Sequence, residues 1–121
     1  MALFDSKELK YAWKAKYLSG HSSFPKSMNV HIIMMPDFLE TPEFPLQIPY
    51  EMVHNVQSLS QEKIASLGLL HGGLASLLKR KKVYMVLTFD DDTAIEQNLV
   101  FDVEKIEELQ PLLYHKIMKH E

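Results

Sequence analysis

The chain contains no cysteine among its 121 residues, which removes disulfide bridges, thiolate catalysis and thiolate metal sites together and suits a reducing compartment. It also lacks any excess of positive charge. Thirteen Lys and Arg stand against 16 Asp and Glu, a formal net charge of -3, so no global positive field draws it onto nucleic acid. Attraction to a polyanion must therefore be local. Glycine is scarce, at four residues, and Gly68, Gly72 and Gly73 all fall within one segment. The opening MALFDSKELK carries charges where a signal peptide needs its apolar core, which predicts a cytoplasmic protein and not one secreted through a cleaved signal.

What is present is ordinary globular composition, 46% hydrophobic and 24% charged, in a length that suits one domain with one hydrophobic core. No repeat, low-complexity tract or linker divides residues 1–121. In "LKYAWKAKYL", Leu9, Tyr11, Trp13, Ala15 and Tyr17 fall on one face of a strand and Lys10, Lys14 and Lys16 on the other, the alternation of a half-buried strand. "MNVHIIMM" predicts a strand buried on both faces. Pro36-Asp37 predicts a turn, and two short segments near Phe38 to Thr41 and Pro45 to Ile48 are kept short or at a sheet edge by their prolines. In "IPYEMVHNVQSLSQ" the alternation is imperfect.

The clearest hairpin runs from Val83 to Phe89, turns through Asp-Asp-Asp-Thr, and returns from Ile95 to Phe101. Beyond it the period changes. Ile106, Leu109, Leu113 and Ile117 recur at helical spacing, with Asp102 as the expected N-cap and Phe101 with Ile106 as its hydrophobic staple. Pro111 inside that stripe predicts one kinked helix. The class is thus α+β, mainly β: about seven short antiparallel strands in a partly open barrel, closed by one C-terminal helix that buries its stripe on the sheet.

Three stretches carry a resemblance: "YLSGHSSFPKSMNVHI" as a first hairpin, "IPYEMVHNVQSL" as a strand entry, and "KKVYMVLTFDDDTAIEQNLVFDVEKIEELQPLLYHKIMK" as a last hairpin and helix. Together they resemble bacterial proteins with a pleckstrin-homology-like (PH-like) domain, over about Tyr11 to Lys119. The resemblance implies a PH-like barrel and a lipid-binding, peptide-binding or structural role. Lipid-binding members carry several basic residues in and around the first hairpin. Here the loop from Ser19 to Met28 has only Lys26, with Lys14 and Lys16 on the preceding strand.

No residue pattern nominates a catalytic group, a cofactor or a metal. His115 and His120 are five apart, on different faces of a helix. His31 and His54 lie on predicted strands where they can meet across a sheet, but no carboxylate-rich motif accompanies them. Asp90, Asp91 and Asp92 lack the glycine and terminal glutamate of a calcium loop and predict a solvated turn. "GLLHGG" lacks the lysine and hydroxyl residue of a phosphate-binding loop. These patterns predict a protein that is not an enzyme.

The unusual feature is "IASLGLLHGGLASLLKRKK", an apolar, glycine-containing insertion at about 62–82. Ile64, Leu67, Leu69, Leu70, Leu74, Leu77 and Leu78 are apolar on more than one helical face, and a bare surface does not tolerate that. Gly72 and Gly73 should split the segment into two short arms. At about 15 residues it is shorter than the roughly 20 that a membrane-spanning helix needs. Three uses remain: cover for the domain's own core, an interface with a second subunit, or insertion into a membrane surface with Lys79, Arg80, Lys81 and Lys82 at anionic headgroups. The expectation is a non-catalytic scaffold or self-assembling domain that binds a protein partner, with a peripheral membrane module as the alternative and no nucleic-acid partner.

Overall fold

A computed structural model describes residues 12–20, 26–43, 46–69 and 82–119. Its strands are β1 (Ala12–Ser19), β2 (Met28–Met34), β3 (Phe38–Thr41), β4 (Leu46–Pro49), β5 (Val53–Ser60), β6 (Val83–Asp90) and β7 (Glu96–Val103). A 3-10 turn, Tyr50–Met52, precedes β5, a short helix α1 (Gln61–Ser66) follows it, and the long helix α2 (Ile106–Lys119) comes last. All seven strands lie in one open antiparallel sheet of order β4-β3-β2-β1-β7-β6-β5. Two meanders, β1 to β4 and β5 to β7, are therefore joined where β1 pairs with β7.

Period-2 patterning puts Trp13 and Tyr17 of β1 on the inner face and leaves Lys14 and Lys16 exposed on the outer one. β2 departs from its expectation. Val30, Ile32 and Met34 are buried but Asn29 and His31 are exposed, so this strand is buried on one face only; the polar residues between its apolar ones already mark the wet side. The inner residues of all seven strands meet in one core, from Ile48 on one edge strand to Val53 on the other, with Leu109, Leu113 and Ile117 of α2 filling the opening.

Helix α2 buries the expected stripe, and Ile106 packs beside it half-buried. The helix is one element running through Pro111. Its start differs from expectation: Asp102 belongs to β7, and the first turn is instead closed by Leu109 N–H donating to the Lys105 carbonyl at 3.1 Å. Pairing with Lys16 on β1 and Lys82 holds Asp102 in the strand, so it caps nothing.

Two further features fix the frame. Tyr50 is buried, and its hydroxyl donates to the Met35 carbonyl at 2.6 Å. At Gly20, where β1 leaves the sheet with φ +126°, an added Cβ would stand 1.7 Å from the Asn98 carbonyl oxygen; only glycine fits that approach.

Candidate interaction surface

The outer face of β1, β6 and β7 carries a second apolar cluster: Leu18, Tyr84, Val86 and Val100, covered by Ile64 and edged by Leu59 and Leu69. β6 is consequently buried on both faces from Tyr84 to Leu87. The residues that cover it come from the beginning of the apolar insertion.

Local sequence explains how that beginning is held. Ser60 caps α1, its hydroxyl accepting from the Lys63 N–H at 3.3 Å. Gly68 has φ +66°, the left-handed conformation that ends a helix. Gly68 N–H donates to the Ala65 carbonyl at 3.1 Å and Leu69 N–H to the Ile64 carbonyl at 3.3 Å. This is the Schellman pairing, and the apolar contact that accompanies it is between Ile64 and Leu69. The first arm therefore stops at Ser66, before Gly72 and Gly73 are reached. Ile64 is wholly buried, Leu69 half-buried, and Leu67 51% exposed.

The far end of the insertion returns to the same face. Lys82 Nζ donates to Asp102 Oδ2 at 2.8 Å and lies 5.9 Å from the centre of the Tyr84 ring, within cation–π range. Leu70, Leu74, Leu77, Leu78, Lys79, Arg80 and Lys81 lie outside the described residues. Of the eleven residues singled out from the sequence, the structure therefore places Ile64, Leu67, Leu69 and Lys82. Ile64 and Leu69 join one cluster, Leu67 points to solvent, and Lys82 lies at the edge of that cluster, over Tyr84 and paired to β7.

Beside Lys82 a groove of about 480 Å³ runs over the outer face of β2, β1 and β7. Lys14, Lys16, Asn29 and His31 line it with Lys82, and Asp102 and Glu104 supply the opposing charge. Among the described residues Lys14 and Lys16 have no ion-pair partner, whereas His31 pairs with Glu43. Burial pushes the Glu43 carboxyl up, but the hydrogen bonds from the His31 ring and N–H outweigh it, and the net direction is down.

The histidines do not meet across the sheet. His31 is held by Glu43, and His54 Nε2 lies 2.8 Å from Asp90 Oδ2. A β-bulge explains both this pairing and the imperfect alternation of β5. Val53 opposes Phe89 and Asn55 opposes Thr88, leaving His54 as the extra residue, so Val53 and Val56 are buried although three apart. The mixed polarity of "VHNVQ" was the available signal.

The aspartate turn is built around Asp91. Its Oδ1 accepts from the Thr93 hydroxyl at 2.7 Å and from the Thr93 and Ile95 N–H groups, each at 2.9 Å, and its Oδ2 accepts from Gln97 Nε2 at 2.9 Å. These bonds, the Thr93 hydroxyl's first, hold the carboxyl well below the usual carboxylate range. Asp91 is thus a structural brace, while Asp92 is exposed.

Among the described residues no helix is long and apolar enough to cross a membrane. No protein-family profile matches the chain, and no curated protein matches it.

Proposed function

We propose that this chain is a non-catalytic, PH-like interaction domain that assembles through its apolar insertion, with a second copy of itself as the simplest partner. The observation that carries this reading is the anchoring of the insertion at both ends on one sheet face. Ile64 and Leu69 bind one end to the outer cluster, and the Lys82–Asp102 pair holds the other. Ile64 serves as cover for the domain's own sheet, and the docking role passes to Leu67, Leu70, Leu74, Leu77 and Leu78. The strand order and the closing helix support the PH-like resemblance, although fold alone does not set function.

A second reading draws support from the groove. Lys14, Lys16 and Lys82 share its rim, and Lys82 directly follows Lys79, Arg80 and Lys81 in the chain. A cationic border beside leucines suits an anionic bilayer surface, where each Lys or Arg contributes about 1 kcal/mol.

Two measurements separate the readings. Sedimentation equilibrium of the natural chain and of a variant with Leu70, Leu74, Leu77 and Leu78 changed to serine tests assembly; a dimer or larger species that the variant loses supports the first reading. A monomer throughout, with salt-sensitive sedimentation on anionic vesicles that is lost when residues 79–82 become glutamine, replaces it with the second.

A further inference from the structure

The β5 bulge brings together three groups that the interaction surface does not use. His54 is the bulge residue, Asp90 ends β6, and Glu96 begins β7. One ligand atom from each lies within 4.8 Å of the others. Asp90 and Glu96 are directly opposed across the β6–β7 ladder, and like charges in that relation repel. Their nearest neighbours on the same face are polar but settled, since Thr88 Oγ1 donates to Asn98 Oδ1 at 2.7 Å. The hairpin tip beyond them is braced by Asp91. Two carboxylates thus stand opposed at the base of a braced turn, and a strand irregularity brings an imidazole beside them.

We propose that His54, Asp90 and Glu96 form a binding site for a first-row divalent transition metal, with zinc as the reference ion. One imidazole nitrogen and two carboxylate oxygens make a mixed donor set that suits Zn²⁺, Co²⁺ or Ni²⁺ better than Ca²⁺, which takes six to eight oxygens. Three protein ligands leave a fourth tetrahedral position for water. Donors around such an ion sit about 3.3 Å apart at bond lengths of about 2.0 Å. His54 and Asp90 are already at 2.8 Å, and Glu96 is exposed and free to rotate inward. The entering ion takes the place of the proton on His54 Nε2, which leaves to solvent from an imidazolium or shifts to Nδ1 in a neutral ring, and it neutralises the carboxylate pair.

Calorimetric titration of the full chain with ZnCl₂ tests this, alongside His54→Ala, Glu96→Gln and His31→Ala variants whose folding is checked by thermal melting. The expected result is a saturable equivalent that His54→Ala removes, that Glu96→Gln weakens at least about tenfold, and that His31→Ala leaves unchanged. Amide spectra recorded during the titration should move at residues 54, 90 and 96. Absence of zinc binding, binding that is unchanged in both site variants, or spectral changes confined to other histidines would each overturn the proposal.

Discussion

Replacing Ile64 by alanine tests whether the apolar insertion is attached to the sheet. The side chain is wholly buried against Leu18, Tyr84, Val86 and Val100. Truncation removes three carbon atoms, about 2.4 kcal/mol of transfer free energy at about 0.8 per methylene. The space left behind adds a cavity penalty, and buried Ile→Ala changes range over about 2–5 kcal/mol. A six-residue helix can settle partly into that space, so the lower half applies, about 3 kcal/mol. With a urea m value of roughly 2 kcal/mol/M the unfolding midpoint should fall by about 1.5 M. Leu67→Ala is the control: a side chain 51% exposed should change stability by less than about 0.5 kcal/mol. A loss at Ile64 as small as that at Leu67 would refute the outer cluster as a second core. The whole insertion would then be available for a partner.

Gly20→Ala should cost about 3 kcal/mol, a melting temperature lower by roughly 10 °C, because its Cβ meets the Asn98 carbonyl; an unchanged melt contradicts that contact. Ala94 has φ 63°, so Ala94→Gly should relieve left-handed strain and raise stability by up to about 1 kcal/mol after the cost in unfolded-chain entropy; a lower urea midpoint counts against it. Burial and then the negative charge of Asp37 push the Tyr50 phenol well above its ordinary range. Its protonated form is the one the fold favours, so the contribution is complete below about pH 10 and is lost as pH rises beyond it. Tyr50→Phe should be less stable at neutral pH by about 1–3 kcal/mol, with the Met35 carbonyl left unpaired, yet lose less than the natural chain between pH 9 and 11. Equal alkaline losses would exclude Tyr50 as the titrating group.

Strong periodicity was legible where one element controls its own burial. Trp13 and Tyr17 declared the inner face of β1, and Leu109, Leu113 and Ile117 the core stripe of α2. The hairpin from Val83 needed only its apolar runs and its aspartate turn. What escaped depended on neighbours distant in sequence. Asp102 has the chemistry of a cap, but Lys16 and Lys82 claim it for β7. His54 and Asp90 are 36 residues apart, and their meeting depends on a bulge that alternation registers only as noise. Ile64 was legible as apolar, but not which surface covered it, because the outer cluster is assembled from β1, β6 and β7. The sequence order of β1 and β7 likewise gives no hint that they are partners.

That partnership has a kinetic side. Within each meander, successive strands join through short connections or, for β5 and β6, through the insertion. The seam between meanders is different: Ala15 finds Val103, 88 positions along the chain. Closing a loop of that length costs about 4 kcal/mol of chain entropy before any contact compensates. The seam also brings together Tyr17 and Phe101, whose rings lie 5.8 Å apart in the core. The two halves can therefore organise locally, the second with α2 laid against β5 and β6, but the apolar inner face of the first half stays bare until the seam forms. Folding speed should be governed by this single long-range ladder, and the interval before it closes is when the open edge of β1, paired only with β2, is most exposed to pairing with the β7 of another molecule.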